Sequence, residues 1–377
     1  MASRFPTSAP DHIPALDGVR GIAVLLVLIA HTRFPGTKDF LIQFGWAGVD
    51  LFFVLSGFLI TRILLATRDS RGFFPNFYAR RILRIWPLYY VVLASVFVLE
   101  RSGVFHTYAS GPAWICLFTF TQNIFIALFG WNAVPDWLEP AWSLGIEEQF
   151  YLLWPFLVRK LSLRSLKLFC LATILISPVL RGFSSYLFRE PDAPMLLTFC
   201  HFDTLCFGIL LAIFSVERKF DYGAKLLTWS VPAFVALVTV ELSASQLLQN
   251  VARYSLLGVV CTGLVALCAT PIGPGGVRRS ASAIFTWAPL RYTGKISYAL
   301  YLSHMAVFSI AASNSAQRFL RHFPGYDLQG WSQIAIDWAS AFVVATLSWY
   351  FFESPILRLK RKFEDRPAER GAAAARG

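Results

Sequence analysis

Apolar residues in this chain gather into long runs instead of alternating at the periods of a half-buried strand or a surface helix. The runs fall at roughly 14–34, 46–66, 85–100, 113–130, 141–158, 166–188, 199–216, 226–244, 252–270, 290–312 and 331–352. Most approach the ~20 residues that a helix needs to cross ~30 Å of hydrocarbon. The pattern predicts an all-α, polytopic membrane helical bundle.

Basic residues between the runs set an expected orientation, because Lys and Arg close to span ends resist translocation. Arg62, Arg68, Arg71, Arg80, Arg81 and Arg84, with Asp69 as the only acid, place the second connection inside. Arg159, Lys160, Arg164 and Lys167 mark another inside connection, followed by Arg218, Lys219 and Lys225, then Arg278, Arg279 and Arg291, then Arg358 to Lys362. Three runs lie between Arg84 and Arg159, and three crossings cannot return a chain to its starting side. The run at 113–130 carries Gln122 and Asn123 in its middle and leads into the acidic stretch Asn132–Pro140. It is therefore expected to be re-entrant or buried, where irregular backbone is tolerated. The expectation is about ten transmembrane helices with both termini cytoplasmic.

Composition agrees. Of 377 residues, 56% are hydrophobic and only 15% charged, against about a quarter charged in a soluble domain. A soluble single-domain enzyme is excluded. The net charge of +12 is accounted for by basic loops, so no nucleic-acid partner is expected. Cys116, Cys170, Cys200, Cys206, Cys261 and Cys268 show no metal spacing and are expected to pack as small apolar residues, with no metal site. Residues 1–12 are polar and form an expected cytoplasmic segment without a cleavable signal. Residues 13–356 form the membrane domain, and the basic, Ala/Gly-rich stretch 357–377 is expected to be a disordered tail with no second soluble domain.

The candidate chemistry lies in charges at membrane depth. Gly21 to Ala30 is apolar for ten residues, ~15 Å of helix, with Arg20 and His31 at its ends. Such a run cannot span alone, so an ionisable group enters the hydrocarbon slab at a cost of several kcal/mol unless a cavity or partner receives it. Eleven residues is close to three helical turns, so Arg20 and His31 project on one face ~16 Å apart. Snorkelling at two boundaries is one reading. The other is a polar track with His31 as a proton acceptor.

Asp50 enters the second run near the level of His31 and is a candidate to orient that imidazole, or a carboxylate at the membrane entry. Arg80, Arg81 and Arg84 open the third run. They hold their loop inside, or meet a polyanion such as the phosphates of a nucleotide-like molecule. Glu147 and Glu148 project ~100° apart on a helix and are expected to do separate jobs, one facing a cavity and one capping the helix N-terminus.

Taken in order, Leu16-Asp-Gly-Val-Arg20 with His31, Gly48-Val-Asp-Leu-Phe-Phe-Val-Leu-Ser-Gly-Phe-Leu-Ile-Thr61, the Arg80–Pro87 motif, Trp142-Ser-Leu-Gly-Ile-Glu-Glu-Gln-Phe-Tyr151, Ile296-Ser-Tyr-Ala-Leu-Tyr-Leu-Ser-His304 and Glu353-Ser-Pro355 resemble the acyltransferase-three family of bacterial membrane O-acyltransferases. The resemblance covers roughly residues 13–356. It implies transfer of an acyl group, usually acetyl, from cytoplasmic acyl-coenzyme A to a hydroxyl of a sugar or other acceptor, often at the outer face of the inner membrane. It makes Arg20 and His31 the essential pair, Arg81 and Arg84 the coenzyme A phosphate contacts and Glu147 a site residue. Some relatives carry an extracytoplasmic hydrolase-like domain; this chain is expected to lack one.

The residues suit that chemistry independently. A thioester is already activated, so the protein must chiefly deprotonate a hydroxyl, align it and stabilise an oxyanion. No nucleophilic Cys or Gly-x-Ser-x-Gly turn is evident, which favours direct transfer. A transporter of a small anionic or glycan substrate is the competing class, although no internal repeat is evident.

Overall fold

The computed structural model describes residues 12–32, 34, 44–102, 110–217, 221–243, 245–269, 283–313, 316–318, 322 and 330–363, with the backbone alone for 221–227. Residues 1–11 of the expected polar N-terminal segment, the tail beyond Phe363, and Arg218, Lys219, Lys225, Arg278 and Arg279 lie outside the described residues or side chains. Among the described residues the fold is helical, without strands. Six helical stretches, Phe44–Ala66, Phe73–Arg101, Leu163–Leu187, Thr198–Val216, Gln246–Ala269 and Trp331–Phe363, are long and apolar enough to cross a membrane. The chain is a multi-pass membrane protein.

Helix α1 (Pro14–Ala30) starts with a proline in its first turn, where the missing N–H costs nothing, and carries Asp17 at its positive end. It ends at His31 and Thr32. Thr32 donates its hydroxyl to Leu28 O at 2.7 Å and accepts from Trp338 Nε1 at 2.9 Å. A latch from the far end of the sequence thus fixes the turn that carries His31.

Helix α2 (Ala47–Ala66) packs against α1 and also against α8 (Thr198–Val216). Gly57 faces the backbone carbonyl of Leu205, and Gly208 faces that of Val54. A side chain at either would strike backbone, so paired glycines let two helices approach closely, the usual solution where lipid supplies no hydrophobic drive. Helix α8 also meets α7 (Leu163–Leu187) and α10 (Gln246–Ala269), the latter also paired with α9 (Asp221–Glu241). Leu175, Val179 and Phe183 of α7 point outward, as a lipid-facing surface requires.

Helix α3 (Phe73–Arg101) begins twelve residues before the apolar run at 85–100. Arg80, Arg81 and Arg84 therefore lie in its second to fourth turns, not at its mouth, and Arg84 sits ~16 Å along the axis from Phe73.

The run at 113–130 is not one helix. It forms α4 (Gly111–Phe118) and α5 (Gln122–Phe129), each eight residues long and ~12 Å, too short to cross alone. The break falls at Phe120, whose φ of 56° lies in the left-handed region. Gln122 and Asn123 are fully buried and hold the break in place. Gln122 donates to Ala141 O at 2.5 Å, and Asn123 donates to Leu196 O and Thr198 Oγ1 at 3.0 Å. Gln149 of α6 (Trp142–Lys160) donates to Phe120 O and Asn123 Oδ1, both at 3.0 Å, and accepts from Thr198 Oγ1. Backbone groups freed by the break are thereby satisfied inside the protein.

The C-terminal part comprises α11 (Ala288–Lys295), packed on α1, then α12 (Ser297–Ala311) paired with α13 (Trp331–Ser348). A π-turn, Trp349–Glu353, follows α13 and leads into α14 (Ser354–Arg358).

Candidate active site

Arg20, Arg81 and Arg84 converge from α1 and α3. Arg20 has Arg84, Asp17, Arg81 and Tyr151 as electrostatic neighbours, while Arg84 has Glu353, Arg81, Tyr298 and Tyr151. Lys360, beyond α14, joins the same field. Arg20 approaches Asp17 only to 3.9 Å. Arg81 lies 5.9 Å from the Tyr151 ring and Arg84 6.0 Å from that of Tyr298. Among the described residues, neither of these two guanidiniums has a hydrogen bond or an ion pair within 4.0 Å. Partly buried cations that rest on aromatic faces and keep their N–H forks free suit an anion with several oxygens. Arg80 turns back to donate to Asn76 O at 3.2 Å.

Glu147 belongs to this basic end. It accepts from Ser56 Oγ at 2.5 Å, Tyr151 OH reaches the same Ser56 Oγ at 3.3 Å, and Arg81 and Arg20 are its electrostatic neighbours. Helix α3 starts early and carries its arginines deep enough to meet this carboxylate, which lies in the second turn of α6. Glu148 points elsewhere and accepts from Trp86 Nε1 at 3.1 Å. The two carboxylates do separate jobs, but neither caps α6, which has no side-chain cap.

Glu353 extends the basic end from the opposite side. It is buried, accepts from Ser348 Oγ at 3.4 Å, and leaves Oε2 without a hydrogen bond among the described residues. Its motif was legible, but its position opposite Arg84 was not.

His31 stands at the other end of α1. Its Nδ1 lies 2.8 Å from Val27 O. A carbonyl only accepts, so Nδ1 carries the proton and Nε2 presents a lone pair. The ring meets that of His304 from α12 in an edge-to-face arrangement with centroids 4.9 Å apart. Tyr301, one turn earlier, donates to Pro140 O at 2.8 Å and pairs with Ser143 Oγ at 2.5 Å, tying α12 to the start of α6.

Asp50 does not orient His31. It faces His201 of α8, with Oδ1 3.0 Å from Nε2, and the other ring nitrogen of His201 donates to Met195 O at 2.7 Å. Asp50 lies one turn into α2, on the side that packs against α8, which is why it finds this partner. Next to it, Arg181 is fully buried, bonded to both oxygens of Asp203 at 3.0 Å and to Ser255 Oγ at 2.6 Å. Tyr254 bridges the two pairs, its ring tilted against that of His201 with centroids 4.5 Å apart and lying 5.5 Å from the Arg181 guanidinium. Sequence reasoning missed His201, Arg181 and Asp203. The available signal was three ionisable residues inside the apolar runs 166–188 and 199–216.

The architecture defines a membrane-embedded helical bundle with an anion-receptive basic end and an imidazole along the same helix. The acyltransferase domain family matches residues 13–353, and the chain belongs to this acyltransferase family. It is 31% identical over 373 residues to a peptidoglycan O-acetyltransferase, OatA, of Listeria monocytogenes, covering 92% of this chain and 56% of that protein. It is 30% identical over 366 residues to a putative peptidoglycan O-acetyltransferase, YrhL, of Bacillus subtilis, covering 92% and 55%. A putative O-acetyltransferase of Staphylococcus aureus is 26% identical over 366 residues, covering 91% and 57%. The chain thus spans little more than half the length of these curated relatives. No solved structure matches it.

Proposed function

We propose that the protein transfers an acyl group, acetyl in the first instance, from acyl-coenzyme A to a hydroxyl of a sugar-containing acceptor. The donor enters from the cytoplasm and the acceptor is met towards the opposite face of the inner membrane. About ten crossings, with cytoplasmic termini and α4–α5 as the non-crossing segment, give the Arg cluster and His31 those two sides. Surface polysaccharide, oligosaccharide and glycolipid all offer the required hydroxyl, as does a macrolide. The relatives named above as peptidoglycan O-acetyltransferases, one of them putative, favour a peptidoglycan-type glycan.

One observation carries the reading: Arg81 and Arg84 hold guanidiniums without a hydrogen bond or ion pair among the described residues at one end of α1, and ~16 Å along that helix His31 offers a ring-nitrogen lone pair. In this scheme Arg81 and Arg84, with Arg20 behind them, bind the donor's phosphates, and the acyl arm extends between α1, α2 and α12 to His31. His31 Nε2 takes the acceptor's hydroxyl proton as the oxygen attacks the thioester carbonyl carbon. The C–S bond breaks, and the leaving sulfur receives the proton. Glu147 sets the charge balance of the Arg cluster through Ser56 and Tyr151, and Arg80 supports the cluster from the turn before. Asp50 acts on His201 and not on the transferred proton.

The test is turnover by purified, reconstituted protein supplied with acetyl-coenzyme A and a chito-oligosaccharide. Appearance of both free coenzyme A thiol and an ester on the sugar is expected. Movement of the sugar across the membrane with no thiol released would instead identify a transporter.

A further inference from the structure

The scheme above gives Lys360 no part, although it stands among the arginines of the basic end. Its principal charged neighbours are four cations, Arg81, Arg84, Arg20 and Arg80. Lys360 lies in the 3₁₀ turn Leu359–Phe363, which follows α14 and packs, like α14, along α3, the helix that carries three of those arginines. In a 3₁₀ turn, side chains three apart share a face. Lys360 and Phe363 share one face and are both half-buried, whereas Arg358, Leu359, Arg361 and Lys362 are exposed. The turn therefore aims Lys360, alone of these basic residues, into the bundle. Among the described residues it makes no hydrogen bond and no ion pair within 4.0 Å. Holding the chain end on its side of the membrane does not require this, because the three exposed basic residues already supply that charge. Turning another cation inward brings like charges together where water screens them less, which destabilises the empty protein. A local arrangement that opposes folding calls for a binding role.

We propose that Lys360 is a donor-binding residue: its ammonium closes the Arg81–Arg84 site from the C-terminal side and holds one phosphate group of the acyl-coenzyme A. The proposal rests on the reading of that site as the seat of the donor's phosphates. The donor carries a diphosphate and a separate ribose phosphate, more anionic oxygen than the two forks of Arg81 and Arg84 can satisfy. A compact ammonium with three N–H donors on a flexible stem serves the group that planar guanidiniums leave over. Binding then replaces the repulsion of clustered cations by attraction to the anion between them. A lipid headgroup offers the same phosphate chemistry. The exposed Arg358, Arg361 and Lys362 suit a headgroup at the membrane surface, whereas a half-buried ammonium inside a cluster of arginines suits a polyanion that enters it.

Three substitutions separate this role from a general need for positive charge. Lys360→Gln removes the inward charge, Lys360→Arg keeps it, and Arg361→Gln removes an equal charge from the exposed face of the same turn. Purified full-length protein in neutral detergent is melted with and without coenzyme A, and its turnover of acetyl-coenzyme A is measured with a chito-oligosaccharide. Without coenzyme A, Lys360→Gln should melt no lower than wild type, and coenzyme A should raise its melting temperature less. KM for acetyl-coenzyme A should rise about ten- to a hundredfold, the range of a hydrogen bond to a charged group, with kcat close to wild type. Lys360→Arg should restore most of the KM, and Arg361→Gln should match wild type throughout. An unchanged KM in Lys360→Gln, or an equal effect of Arg361→Gln, would overturn the proposal. So would a Lys360-dependent rise in melting temperature that phosphatidylglycerol produces and coenzyme A does not. Failure of coenzyme A to stabilise the wild type would remove the donor-site reading itself. That result is distinct from a wild-type rise that Lys360→Gln retains in full, which removes the role of Lys360 alone.

Discussion

Asp50 and His201, 151 residues apart in sequence, meet at 3.0 Å in the packed core between α2 and α8, and neither side chain is more than 2% exposed. Removing one member of a buried pair strands the other, typically at 3–5 kcal/mol. Asp50→Ala and His201→Ala are each expected to lower the melting temperature of the purified protein strongly. The double variant should be no worse than the worse single one, because the pair then leaves together. Additive losses in the double variant would show that the two side chains do not act as a pair.

Arg81→Ala and Arg84→Ala should mainly weaken acyl-coenzyme A binding. Each removes a hydrogen bond to a charged group, about 1.5–3 kcal/mol or roughly 10–100-fold in affinity. The check is coenzyme A titration of purified variants that insert normally. Unchanged affinity combined with altered orientation would mean that these residues serve only to hold their loop inside. Arg80→Ala, whose guanidinium is already occupied by Asn76 O, should have the smallest effect of the three.

Gly208→Val should abolish accumulation of folded protein, because its new side chain would meet the Val54 backbone carbonyl, which cannot move without displacing α2. Gly111→Ala, where an added methyl meets open space, is the matched control and should accumulate normally. Similar yields for the two would contradict the close approach of α2 and α8.

Orientation can be read with single cysteines in a cysteine-free background and a membrane-impermeant thiol reagent. Val134 is a natural choice from sequence, but it is buried. Asn132 and Arg164 are exposed and serve instead. Labelling from outside at Asn132 and not at Arg164 is expected. The reverse would place the Arg cluster and the donor on the outer side.

Much of this was legible from sequence, for physical reasons. Long apolar runs report helices directly, and Gln122 with Asn123 singled out the segment that proves to be two short helices, because buried amides need partners and a broken helix supplies them. Arg20 and His31 stood out as candidates because an ionisable group is costly inside hydrocarbon. Partner choice was not legible. Asp50 sits near the entry level of His31 along the chain, yet its face of α2 turns to α8, and only three-dimensional packing decides that. That Arg81 and Arg20 are the electrostatic neighbours of Glu147 was not legible, because the turns of α3 before residue 85 lie outside the apolar run.

The central claim is that His31 takes the acceptor's proton, and the most direct measurement compares wild type with His31→Gln in thioester turnover after purification and reconstitution. Gln preserves size and hydrogen bonding but cannot take up a proton at neutral pH. A loss of about 10²–10⁴-fold in kcat, with coenzyme A affinity and melting temperature close to wild type, is predicted. Near-normal turnover in His31→Gln would contradict the account.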